Sequence, residues 1–348
     1  QYARFLIEQG RIEDVEPVLE SIVELQPDNS QPKLALVQFI AGTRGQEAAE
    51  EVLRGYVTGS PDALDLRDAL ARYLQSSGRL DEAYAEYEKI SDQAGNDDTG
   101  LTARAKLAGI EIARGEIDAG MEILEDVLLT DALNTEALII RGAVYAEREE
   151  YRDAVSDFRN VLRKDPEDRR AQLLLAQTHQ RAGDNVLAKD AYRRAIESYP
   201  NEGFAYLALA RLLSADGNAN DAERVLRDRL NVAPQDIEAS RLLVTVLKSR
   251  GRDQEAMLMA EEMAGRPGSA AIGNYLVGTL YFSDEEYDRA TEAFRTSLDL
   301  VPNSREPLQG LVASLVRADK SQEAEAFLTD YSEKYPDNLL VKTLLGQL

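Results

Sequence analysis

One spacing constrains this chain more than any other feature: alanine recurs every 34 residues. Ala49 and Ala83 stand 34 apart, and Ala154, Ala188, Ala222, Ala256, Ala290 and Ala324 keep that interval after a single gap of 71. Gly120 takes the missing place, 37 residues after Ala83 and 34 before Ala154, so one unit carries three extra residues. Proline repeats the period twelve residues further on, at Pro27, Pro61, Pro166, Pro200, Pro234, Pro302 and Pro336. Leucine repeats it near the start of each unit, at Leu36, Leu70, Leu107, Leu175, Leu209, Leu243, Leu311 and Leu345. A chain of equal units of this size cannot wrap one central core. Each unit is too small to bury its own apolar face and must stack on its neighbours.

Each unit reads as two short helices. In residues 135–168, Leu138, Gly142 and Tyr145 fall at helical spacing, with Arg141 as an exception. A break follows at Arg148–Glu150, where six other units carry Gly10, Gly78, Gly115, Gly183, Gly217 or Gly251. Glycine ends a helix well because it reaches positive φ without a Cβ clash. A second amphipathic stretch runs through Tyr151, Ala154, Val155, Phe158, Val161 and Leu162, and Pro166 stops it. The small residues of the alanine slot, with Gly142, Ala176, Ala210 and Gly278, mark a close approach of two helix backbones. Tyr87, Phe158, Tyr192 and Phe294 are placed to fill the space beside it.

This pattern resembles the tetratricopeptide repeat, with its leucine, small residue and tyrosine in a first helix and its alanine, aromatic and proline in a second. The resemblance covers the whole chain. It departs from the family pattern at the fourth position, where some members carry tryptophan and this chain has Leu138, Gln172 or Tyr206. The fold it implies is an all-α, right-handed superhelical solenoid of antiparallel helix pairs. In this register the units are 1–29 (partial), 30–63, 64–100, 101–134, 135–168, 169–202, 203–236, 237–270, 271–304, 305–338 and 339–348 (partial). They form one solenoid over residues 1–348. Repeat arrays end in capping units with a polar outer face, so broken units at both ends lead us to expect more repeats on either side.

The composition removes most catalytic chemistry. There is no cysteine and a single histidine, so thiol nucleophiles, zinc ribbons and two-histidine sites are excluded. His179 stands where other units place Tyr145, Leu213, Leu247 or Tyr281, which reads as packing between helices rather than as a base. Asp97 and Asp98, in the turn holding the insertion, lack the alternating carboxylates and distal glutamate of a calcium loop. Asp98 or Thr99 is expected to cap the next helix instead. No phosphate-cradling loop or zinc-protease motif occurs. The expectation is a non-enzyme that needs no cofactor and no metal.

What remains is a surface. The resemblance implies a concave face lined by first helices, with inner positions at the second, fifth, ninth, twelfth and thirteenth residues of each unit. Across 169–304 these include Arg170, Gln177, Gln180, Arg181, Phe204, Arg211, Arg241, Lys248, Tyr275 and Phe282. Five of them are basic in a chain of net charge −23, and they are the candidate partner-binding groove. The competing reading pairs them with neighbouring acids such as Glu238. In earlier units the same positions hold Asp65, Asp68, Arg72, Ala105, Gly109 and Ile139. The lysine-asparagine clamp with which co-chaperone members grip a C-terminal carboxylate is missing, with Arg241 and Thr245 nearest to it.

The acidic total argues against nucleic acid as a partner, and no apolar run approaches the roughly 20 residues of a membrane helix. The function expected is therefore a scaffold that holds protein partners along its groove within a bacterial multi-protein assembly. The alternative is a spacer in an envelope machine. An arginine-rich, lysine-poor repeat style resembles the large bacterial repeat proteins of exopolysaccharide export and protein sorting, which implies the periplasm or outer membrane.

Overall fold

The computed structural model describes residues 5, 6 and 9–347. The chain divides into two compact bodies, Gln1–Thr178 and His179–Leu348. In the first, a 3-10 turn (Ile12–Asp14) leads into α1 (Val15–Leu25). Helix pairs follow: α2 (Ser30–Thr43) with α3 (Gln46–Gly59), α4 (Leu64–Ser76) with α5 (Leu80–Ala94), α6 (Asp98–Ala113) with α7 (Ile117–Thr130), and α8 (Thr135–Glu147) with α9 (Tyr151–Lys164). The boundary falls within α10 (Arg169–Arg181). The second body continues through α11 (Asn185–Ser198), α12 (Gly203–Ala215), α13 (Ala219–Val232), α14 (Ile237–Ser249) and α15 (Asp253–Ala264). It ends with α16 (Ala270–Ser283), α17 (Tyr287–Leu300), α18 (Arg305–Arg317), α19 (Ser321–Lys334) and α20 (Leu339–Leu345). No strand occurs among the described residues. Within each body, helices pack on their neighbours in sequence, giving an all-α solenoid.

Local chemistry sets the helix ends. Before several first helices stands a short polar side chain that takes an orphan N–H of the first turn. Asn134 accepts from Ala137, Asp168 from Ala171 and Asp236 from Ala239, at 2.8–3.0 Å. At the other end the chain turns through positive φ, at Gly78, Gly115, Gly183, Gly217 and Gly251. Three units lack that glycine yet make the same turn. Glu149, Glu285 and Asp319 sit at φ of +63°, +63° and +60°, a conformation that crowds a Cβ.

The three extra residues lengthen the helices around them. α5 has 15 residues and α6 has 16, against 14 and 13 in the next pair, α9 and α8. The cap expected at Asp98 or Thr99 is one residue earlier: Asp97 is extended and its carboxylate accepts from the Gly100 N–H at 2.9 Å. Asp98 is already helical because the insertion adds a turn to the front of α6.

The core runs along each body as a chain of small clusters. The alanine slot is sealed, with Ala83, Ala154, Ala222, Ala256, Ala290 and Ala324 at 0% exposure. Beside it the aromatic ring wedges against a glycine of the paired helix. A Cβ on Gly142 would come within 2.7 Å of Phe158, and one on Gly278 within 2.7 Å of Phe294. Phe294 also lies against Gly310 of the next unit, so one ring joins helices α16, α17 and α18. Burying such a ring contributes on the order of 3 kcal/mol.

Candidate functional site

The groove residues read from the sequence sit on the first helices, and their partners decide what they can do. Arg170 holds Glu136 through both guanidinium nitrogens, at 2.7 and 3.1 Å. Arg211 and Arg241 converge on one carboxylate: Glu238 receives Arg211 at 2.5 Å and Arg241 at 2.6 and 2.9 Å. The Arg241 hydrogen bonds, with Arg211 nearby, hold the Glu238 carboxyl below its ordinary pKa. Lys248 bridges Asp253 and Asp284, at 2.9 and 2.6 Å, and those bonds raise its ammonium pKa. Arg181 is exposed at the end of α10, and Gln177 is half-buried one turn before it.

The aromatic candidates are also engaged. Phe204 packs edge-on against Tyr192 at 6.1 Å between ring centres and stays 43% exposed. Tyr275 leans on Phe294 at 6.0 Å, and Phe282 meets Tyr287 at 5.5 Å. Arg211, Arg241 and Lys248 are thus each matched by acids across or along the stack. Arg211 joins neighbouring first helices through Glu238, Arg241 meets the same acid within its own helix, and Lys248 reaches Asp253 of the following second helix. His179 is buried at 5% exposure, its Nδ1 3.7 Å from Asp184 Oδ2, which suits the packing role.

An apolar hollow lies elsewhere, in the first body. A cavity of about 840 Å³ opens between α4, α6, α8 and α10. Its floor is aliphatic: Ile112, Ile139, Ile140 and Val144, with Ile117 from α7. The hollow has a simple cause. The ninth position of two successive units holds Gly109 and Ala143, whereas the flanking units hold Arg72 and Gln177. With two missing side chains in a row, Ile112 and Ile140 stay half-buried at the hollow while Ile139 is buried beside them.

The rim is charged and braced. Arg72 Nε and Lys106 Nζ both take Asp68, at 2.9 and 2.5 Å, and Lys106 lies 5.2 Å from the centre of the Tyr87 ring. Tyr87 is fully buried, so burial pushes its phenol pKa well up. On the α10 side the Arg170–Glu136 pair closes the rim, and Arg148 reaches Asp118 at 3.2 Å. In both Arg72–Asp68 and Arg170–Glu136 the carboxylate is the better covered partner: 29% against 62% exposure, and 15% against 50%.

The sequence reading passed over this site because it searched the inner positions for charge. The signal was volume, in Gly109 and Ala143 beside Ile112, Ile139 and Ile140. Among the described residues no group of three potential ligand side chains could hold a metal ion. No described helix is long and apolar enough to cross a membrane.

Comparison with known proteins fits this architecture. Family models described as tetratricopeptide repeat match residues 141–203, 181–247 and 281–348, and one described as tetratricopeptide repeat-like domain matches 41–170. A DnaJ homolog subfamily C member 7 homolog of Schizosaccharomyces pombe is 24% identical over 220 residues, 61% of this chain and 42% of that protein. Cellulose synthase operon protein C of Pseudomonas fluorescens is 29% identical over 178 residues, 48% of this chain and 14% of that protein. The chain therefore spans less than half the length of either relative. A solved tetratricopeptide repeat protein from Parabacteroides merdae is 18% identical, with a TM-score of 0.45 over 72% of this chain and 98% of its own. With the period, the glycine-aromatic wedge and the paired helices, the family-model matches place the chain in the tetratricopeptide repeat superfamily.

Proposed function

We propose that this protein is a non-enzymatic scaffold that holds partner polypeptides against the face lined by its first helices. The observation that carries the reading is the aliphatic hollow over Gly109 and Ala143. A hollow with a half-buried aliphatic floor and a charged rim has the anatomy of a docking site: an apolar centre that drives association and a polar rim that orients it. The ion-paired inner positions of the second body, Arg211, Arg241 and Lys248, offer weaker contacts. A bacterial multi-protein assembly, at the periplasm or outer membrane, is the setting proposed.

Affinity capture from the source cell tests the reading. The parent is compared with Ala143→Phe, which fills the hollow, and with an Arg211→Glu, Arg241→Glu pair. A protein retained by the parent and lost from either folded variant supports docking on the first-helix face. Equal capture by all three places binding on the outer surface and overturns it. A second reading, a spacer in an envelope polysaccharide-export machine, is favoured by the likeness to the cellulose synthase operon protein. That reading gains if the parent captures nothing.

A further inference from the structure

The rim of the hollow says more about its occupant than that it is apolar. Six charged side chains line it, four basic (Arg72, Lys106, Arg148, Arg170) and two acidic (Glu136, Glu147). The chain as a whole leans the other way, with 63 acids to 40 bases. Lys106 is largely covered, at 17% exposure, and Arg148 is paired to the open Asp118. Of the rim guanidiniums, Arg72 on α4 and Arg170 on α10 are the most exposed, at 62% and 50%. Each is paired with a better-buried carboxylate, Asp68 or Glu136, and keeps part of its guanidinium open to solvent. A guanidinium carries five donors in a rigid fork, so one braced on one side still offers hydrogen bonds on the other. Between these two arginines lie α6 and α8 with the isoleucine floor.

We infer that the hollow takes a short polypeptide segment with an aliphatic or aromatic centre and acidic residues on both sides, each acidic end meeting one of the arginines Arg72 and Arg170. This rests on the scaffold reading above and gives its ligand a chemistry. The length follows from helix spacing. Packed helices lie about 8–10 Å apart, so the three steps from α4 to α10 span about 24–30 Å. An extended chain covers that distance in about seven to nine residues at roughly 3.3–3.6 Å each. The size of the hollow agrees: about 840 Å³ accepts several apolar side chains of one segment rather than a single anchor.

Three fluorescein-labelled nonapeptides test this by anisotropy on the full 348-residue chain. One has three central leucines between paired glutamates, the second has lysines in place of the glutamates, and the third keeps the glutamates but has central alanines. The expected result is saturable binding of the first, with the second and third at least tenfold weaker. Ala143→Phe should abolish binding, and the Arg72→Glu, Arg170→Glu pair should reverse the preference between the first two peptides. Circular dichroism confirms that each variant is folded. Equal binding of the glutamate and lysine peptides, still lost in Ala143→Phe, overturns the acidic flanks but leaves the scaffold reading standing. Binding unchanged by Ala143→Phe moves the ligand off the hollow and overturns both for this site. If none of the peptides binds while the dye 1-anilinonaphthalene-8-sulfonate binds the parent and not Ala143→Phe, the hollow belongs to a small molecule and the proposal fails.

Discussion

The two bodies use the same scaffold positions in opposite ways. In the first, the ninth positions of successive units shrink to Gly109 and Ala143, and the first-helix face opens into an aliphatic hollow. In the second, the corresponding positions hold Arg211, Thr245 and Thr279 before Ala313 in the last complete unit, and the face carries charged pairs and half-buried rings. Helix pairing and the buried slots beneath are alike in both. The periodic core residues therefore specify the solenoid, while the non-periodic inner positions decide which stretch can receive a ligand. Removing two side chains creates a site without disturbing the residues that hold the repeats together.

The largest effect should come from what the bodies share. Phe158 is fully buried against Gly142, and Phe294 is 2% exposed against Gly278 and Gly310. Phe158→Ala and Phe294→Ala are each expected to cost about 3–5 kcal/mol, the usual range for a truncated core aromatic. In a nearest-neighbour array the damage stays near the altered unit. Native-state hydrogen exchange should show lost protection in α8 and α9 for the first variant and in α16 to α18 for the second. Loss spread evenly over all repeats would contradict a core made of local clusters.

A second prediction concerns the turns. Glu149, Glu285 and Asp319 occupy the left-handed place that glycine fills in other units. An L-residue there is strained by roughly 1–2 kcal/mol, offset in part by the greater freedom of glycine in the unfolded chain. Glu149→Gly is expected to stabilise by about 0.5–1 kcal/mol, and Gly183→Ala to destabilise by about 1 kcal/mol. Urea titration of both variants checks the opposite signs.

The hollow itself should be stabilised by filling it. A Cβ on Gly109 would meet only Ile140 Cδ1, at 3.3 Å, and that half-buried side chain can swing toward the cavity. Gly109→Ala gains helix propensity of up to about 1 kcal/mol, less the cost of moving Ile140, for a net gain of about 0.5 kcal/mol. Thermal melts measure it. A destabilised variant would mean that the Ile140 position is fixed and the floor is more rigid than its exposure implies.

The period, helix pairing and glycine-aromatic wedge were legible in the sequence because they repeat in fixed phase, and each recurrence tests the others. What occurs once was harder to read. Asp97, rather than Asp98 or Thr99, caps α6 because the insertion was absorbed as an added helical turn, which the period cannot locate. Pairs such as Arg170–Glu136, 34 residues apart, and Lys106–Asp68, 38 apart, depend on how units stack. No local motif announces them. The hollow was written in Gly109 and Ala143, but small residues carry no chemistry of their own and draw attention only once their neighbours are placed.

The smallest effect separates the ion-paired face from the hollow. Glu238 is shared by Arg211 and Arg241, and its lowered pKa means that the folded state favours the ionised form. Its contribution is fully present above the unfolded glutamate value of about 4.3 and is lost as pH falls through the lower folded value. At 37% exposure the cluster is screened by solvent, so Glu238→Gln should cost only about 0.5 kcal/mol at neutral pH. The parent and variant should converge once pH falls below the lowered folded value, where the parent carboxyl is protonated, and at high salt, where the pairs are screened. The Gly109→Ala gain involves no charge and should persist under both conditions. Urea midpoints followed from pH 7 down through the acid range, with and without added sodium chloride, distinguish them. A Glu238→Gln penalty that survived acid and salt would show that this residue acts by packing, and the contrast between a charged face and an apolar hollow would then fail at its best-defined pair.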